Sequence, residues 1–158
     1  GQLDTTCHAL VGETVILPCT TTPPGESILS ESMLYWQIGR NVVHFFQNGR
    51  DSLEYQDTRF HGRTSLFLDQ MKHGNLSLKI SNVQLLDKAE YTCIYKQTEN
   101  HQTKKSHIKL NVSAPSRIEE PPSPSEQISS RSPMDVPCLA MLPLSFLLLL
   151  VPLGAWYL

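Results

Sequence analysis

The stretch "DKAEYTC", residues 87–93, decides how the chain folds. Tyr91 and Cys93 stand two apart in the run "EYTCIYK", so with Tyr95 they fall on one side of an extended strand, while Thr92, Ile94 and Lys96 fall on the other. Working backward, "NLSLKI" alternates in the same way, with Leu76, Leu78 and Ile80 inward and Asn75, Ser77 and Lys79 outward. "MLYWQI" puts Leu34, Trp36 and Ile38 on one face and Met33, Tyr35 and Gln37 on the other. "TVILPC" sets Val15, Leu17 and Cys19 on one face. "VVHFFQ" runs into Asn48-Gly49, a pair suited to the left-handed backbone of a tight hairpin turn. Working forward, "HIKLNV" closes the series with Ile108, Leu110 and Val112 inward. Many short period-two runs broken by turn residues predict an all-β antiparallel sandwich or barrel.

Cys19, Trp36 and Cys93 all fall on inward faces, and Tyr91 stands two residues before the second Cys. This arrangement resembles that of an immunoglobulin domain with its tyrosine corner. The resemblance implies that Cys19 and Cys93 form a disulfide joining two sheets. Closing a loop of about 75 residues is worth roughly 4 kcal/mol in the chain-entropy account. It implies that Trp36 packs against that bridge and that the Tyr91 hydroxyl bonds back to the chain. Arg63 is placed to pair with Asp87 across one end of the sandwich. The 73 residues between the two cysteines leave room for two extra edge strands within residues 42–56, which favours the nine-stranded variable type. "LYWQIGRNVVHFF", "LDQMKHGNLSL", "NVQLLDKAEYTC" and "IKLNVSAP" further resemble the membrane-distal V domain of T-cell costimulatory and coinhibitory ligands and butyrophilins. Those proteins usually carry a constant-type domain next; here the chain passes from the V-type domain, residues 1–113, into a different composition, which reads as a single-domain member.

Residues 114–133 hold five prolines and six serines, too little apolar surface for a core. Residues 114–135 are therefore expected to be a disordered stalk, reaching roughly 50–60 Å in polyproline geometry. Residues 136–158 form a hydrophobic tail, within which residues 139–158 are long enough to cross a bilayer. Either the tail is a membrane span, or it is the signal for a lipid anchor attached at Ser130, with Ser129 or Ser123 as alternatives. The absence of Lys or Arg after Arg131 favours the anchor. On that reading Cys138 is removed with the tail and Cys7 is left as an odd thiol, free or linking two copies as a homodimer. With the tail retained, Cys138 is open to palmitoylation. Both readings put the domain on the outer surface of the cell.

The sequons at Asn75 and Asn111 are expected to carry N-glycans. A sugar on Asn75 would shield one sheet and leave the other bare. On that opposite sheet the alternation exposes Tyr35, Gln37, His44, Phe46, Ile94, Lys96, Lys105 and His107. Aromatic and aliphatic side chains rimmed by polar ones make a recognition surface. The resemblance implies that it binds a lymphocyte receptor of the costimulatory-receptor group and modulates T-cell activation. Cell adhesion, homophilic or heterophilic, and a decoy ligand are the alternatives. The charge of −2, from 13 basic and 15 acidic residues without a basic run, argues against nucleic acid as a partner. No nucleophile motif, phosphate loop or metal-ligand spacing is present, so neither enzyme activity nor a cofactor is expected; His101 and His107 read as scattered surface histidines, not a metal site.

Overall fold

A computed structural model describes residues 5–25, 29–116, 138 and 140–141. The strands are β1 (Thr5–Leu10), β2 (Thr14–Leu17), β3 (Ser32–Ile38), β4 (Asn41–Gln47), β5 (Arg50–Asp51), β6 (Thr64–Leu66), β7 (Leu78–Ile80), β8 (Ala89–Gln97), β9 (Thr103–Ser113) and β10 (Ala140–Met141). They form two sheets, one ordered β1-β9-β8-β3-β4-β5 and the other β10-β2-β7-β6. All pairings are antiparallel except β1 with β9. The architecture is the sandwich that the alternation allows and the V type that the resemblance and the cysteine spacing imply, with β4 and the short β5 as the extra edge strands.

The core lies between the sheets, and the inward positions read from the sequence fill it. Val15, Leu17, Leu34, Trp36, Leu76, Leu78, Ile80, Tyr91, Ile108 and Leu110 are buried. Trp36 stands opposite Cys93 in the β3–β8 register, beside the Cys19–Cys93 bridge. Its indole N–H donates to the Leu76 carbonyl at 3.1 Å, so the one polar atom of the ring is satisfied inside the core. Asn48 and Gly49 both have positive φ, 55° and 77°, which is the left-handed turn their chemistry favours between β4 and β5. Gly74 ends the 3₁₀ turn Leu68–His73 at φ 93°, and a Cβ there would run into the Thr21 carbonyl. Only glycine fits that position.

Two edges depart from the sequence reading. The alternation puts Ser77 outward, yet Leu76, Ser77 and Leu78 are all buried. The Ser77 hydroxyl accepts from the Cys19 N–H at 3.2 Å, and the Leu76 N–H donates to the Cys19 carbonyl, so the chain kinks before β7 begins. Cys7, expected to be unpaired or to link two copies, is instead bonded to Cys138 of the same chain, with their Cα atoms 5.5 Å apart. Cys7 points inward from β1 and is fully buried. Three residues after Cys138, Met141 pairs with Thr14, and Ala140 pairs with Val15. The first residues of the apolar tail thus serve as an edge strand of the smaller sheet. Spacing along the sequence could not reveal this, because 131 positions separate the two cysteines. Of the expected stalk and tail, residues 117–137, 139 and 142–158 lie outside the described residues, and with them Ser123, Ser129 and Ser130.

Candidate functional site: the outer face of the larger sheet

The outward side of the β1-β9-β8-β3-β4-β5 sheet is built around Tyr35. It stands opposite Phe45 on β4 and Ile94 on β8. The Tyr35 and Phe45 rings meet edge to face, 6.0 Å between centroids and 81° between planes. The Lys96 ammonium lies 5.8 Å from the Tyr35 centroid, where the ring's electron density attracts a cation. Tyr35, Gln37 and Phe45 are half-buried; Lys96, Lys105 and His107 are exposed. Lys105 stands opposite Ile94, and His107 opposite Thr92, whose hydroxyl shares a hydrogen bond of 3.2 Å with the imidazole Nδ1. The same nitrogen is 3.7 Å from a Glu90 carboxylate oxygen. The result is an aromatic centre with a basic and polar rim.

Three of the expected face residues need correction. Phe46 is only 4 % exposed and His44 only 1 %; both turn into the sandwich. The cause is a slip in the β3–β4 register between Trp36 and Gln37: Trp36 faces His44, but Gln37 faces Val42. Val43 is left over as an extra residue, so Val43 and His44 are buried in succession. Such a bulge reverses the alternation beyond it, and Phe45 takes the outward place assigned to Phe46. Ile94 is on the expected face but only 3 % exposed, so its neighbours cover it. Phe45 is the face residue that sequence reasoning misses; nothing in "VVHFFQ" marks where a bulge falls.

His44 acquires another role. Its Nε2 is 2.8 Å from Asp51 on β5 and its Nδ1 is 2.8 Å from the Thr64 hydroxyl on β6 of the other sheet. Gln56 donates to the same hydroxyl at 2.8 Å and to the Val43 carbonyl at 2.9 Å. This cluster ties the β4–β5 hairpin, and with it Phe45, to the body of the sandwich.

At the end of the sandwich where β9 finishes, Arg63 and Asp87 form the expected pair. Arg63 donates to both Asp87 oxygens, at 2.7 and 2.9 Å. The Asp87 hydrogen bond raises the guanidinium's already high pKa and outweighs the cost of its partial burial. The Tyr91 hydroxyl donates to the Asp87 carbonyl at 2.6 Å. Burial, and then the nearby Asp87 charge, push the Tyr91 phenol well above its ordinary value.

Only one of the two sequons lies in a sheet. Asn75 sits at the start of the segment leading to β7, its amide N–H₂ donating to Gln70 and its carbonyl accepting from the Ser77 N–H. Asn111 is outward on β9, opposite His8 of β1. The larger sheet is therefore not free of acceptor sites: Asn111 shares its outer face with His107, four residues or about 13 Å along the strand.

An Immunoglobulin V-set domain matches residues 2–113, and the chain belongs to that family. Within it, the relatives fit the T-cell costimulatory ligand and butyrophilin group. Human V-set domain-containing T-cell activation inhibitor 1 is 42 % identical over 85 residues, 52 % of this chain and 29 % of that protein. The chain thus spans less than half the length of the curated relatives it matches. The solved human B7-H4 IgV-like domain is 32 % identical with a TM-score of 0.60, over 70 % of this chain and 92 % of that one. A chain in the complex of ICOS with ICOS-L and an anti ICOS-L VNAR domain is 25 % identical with a TM-score of 0.64, over 71 % of this chain and 56 % of that one.

Proposed function

We propose that this chain is a cell-surface V-domain ligand that regulates lymphocytes by binding a receptor of the costimulatory-receptor group through the outer face of its larger sheet. The observation that carries this reading is the Tyr35–Phe45 pair with Lys96 over it, an aromatic centre held on a rigid sheet and rimmed by Gln37, Lys105 and His107. A half-buried aromatic pair already ordered in the free domain loses little side-chain entropy on docking, which suits it to anchor an interface. Relatives named for inhibition of T-cell activation, and a neighbour solved with ICOS, support a receptor as the partner. N-glycans on Asn75 and Asn111 would bound the usable surface, the second limiting it to the end away from Ser113.

The uncharged tail holds the domain on the outer side of a membrane. The Cys7–Cys138 bond favours a retained tail over a lipid anchor at Ser130, because a tail cut there would stay attached through the disulfide.

The test is binding of the full chain to a set of lymphocyte receptor ectodomains by surface plasmon resonance, with Tyr35→Ala/Phe45→Ala beside the wild type. The double variant is expected to lose binding and keep its unfolding transition. Undiminished binding by that variant would remove the face assignment. Clustering of beads coated with the chain alone would replace receptor binding with homophilic adhesion.

A further inference from the structure

The end of the sandwich opposite the β8–β9 turn gathers apolar side chains that the receptor face does not use. Among the described residues, Leu10, Leu85 and Leu86 are 39, 54 and 78 % exposed there. Leu85 and Leu86 border a cleft of about 430 Å³ whose rim is Val11, Ala114 and Pro115 and whose other wall is the Arg59, Arg63, Gln84 and Asp87 cluster. Backbone hydrogen bonds draw these segments together: Val11 N–H to Ser113 O, Gly12 N–H to Val83 O, and Val83 N–H to Glu13 O. The tail arrives at this same end. Met141, the last residue of β10, pairs with Thr14, which follows that turn. Residues 142–158 come next and contain no charged side chain. Not one polar residue separates β10 from that run, since Leu142, Pro143 and Leu144 follow directly. Cys138, bonded to Cys7, and β10, paired with β2, hold the start of the tail against the domain.

We infer that this end of the sandwich rests on a lipid bilayer, with Leu85 and Leu86 dipping into the interface beside the point where the tail enters it. The inference depends on the proposed membrane attachment of residues 142–158. Leu85 and Leu86 open the 3₁₀ turn Leu85–Asp87, and the exposed Lys88 follows it, so apolar side chains stand beside a basic one as they do in segments that lie at a headgroup boundary. The Cys7–Cys138 bond makes the contact obligatory, because it stops β10 from peeling away and letting the Pro/Ser stretch act as a stalk. The consequence is a V domain standing directly on the membrane, its long axis along the normal and its β8–β9 turn pointing away.

The test uses the full chain in phosphatidylcholine vesicles containing brominated phosphatidylcholine. Leu86→Trp is introduced with Trp156→Phe, which leaves only the core Trp36 as background. The indole introduced in that turn is expected to emit to the blue and to lose most of its emission to the brominated lipid. Asn100→Trp in the β8–β9 turn, in the same background, is expected to keep its emission. Cys7→Ser/Cys138→Ser with Leu86→Trp is expected to relieve the quenching, and quenching that survives would overturn the tethering by that bond. Protein that fails to float with the vesicles would overturn the attachment reading itself. Leu86→Trp protein that floats and keeps its full emission would overturn the docking alone. A blue shift that grows with protein concentration and ignores the brominated lipid would assign the end to a second copy instead.

Discussion

Asp87 is held from three directions: both oxygens take Arg63 N–H groups, one takes the Gln84 backbone N–H at 2.8 Å, and its own carbonyl takes the Tyr91 hydroxyl. Replacing it by Ala strands the Arg63 charge, whose side chain is only 16 % exposed. Breaking such a pair from one side costs about 3 kcal/mol, read as a lower urea midpoint with unchanged slope. Tyr91 makes a second prediction at this scale. Its phenol is pushed above the ordinary value of about 10, so in alkali the unfolded state releases that proton first. The stabilisation from keeping it neutral is complete below about pH 10 and falls as the pH rises beyond it. Urea titrations above about pH 10 are expected to show that loss in the wild type and a shallower one in Tyr91→Phe. The Tyr91→Phe change itself removes a buried hydrogen bond, about 1 kcal/mol at neutral pH. The pairing of Arg63 with Asp87, 24 residues apart, was legible only through the resemblance to an immunoglobulin domain, which sets Asp87 at the tyrosine corner and Arg63 across the end of the sandwich from it.

Among the elements, β4 shows where legibility stops. Its existence and its Asn48-Gly49 turn follow from local chemistry, but its facing does not. A bulge is a mismatch between two strands, so it depends on how β3 and β4 pair and not on either alone. The two phenylalanines therefore have opposite expected behaviour. Phe46→Ala empties a core position and is expected to destabilise the domain by about 3–4 kcal/mol. Phe45→Ala is expected to leave thermal unfolding almost unchanged while weakening receptor binding at least about tenfold, a loss of roughly 1.4 kcal/mol. Equal loss of stability in the two would contradict the bulge. Ser77 gives the same lesson just before β7: its place inside follows from a bond to Cys19, 58 residues away, and local alternation predicts the reverse.

Over the whole molecule, two disulfides join β1 to the segment before β10 and β2's end to β8. A non-reducing digest is expected to yield Cys7 and Cys138 in one cross-linked peptide, and denaturing gels are expected to show no covalent dimer. Cys7→Ser/Cys138→Ser is expected to cost about 2–4 kcal/mol, because the bond closes a loop that takes in most of the chain. A variant as stable as the wild type would mean that β10 contributes nothing to the sandwich.

The sequence by itself determined the layer architecture, the Cys19–Trp36–Cys93 core and the Arg63–Asp87–Tyr91 corner. The layers follow from alternation, since side chains of an extended chain take opposite sides whatever the neighbours do, and the resemblance to an immunoglobulin domain supplies the pairings of the core and the corner. Only the tertiary structure decided which phenylalanine faces outward, where Ser77 lies, and which partner Cys7 takes. Those depend on register between strands and on closing a loop across 131 positions, and neither quantity belongs to any one stretch of the chain.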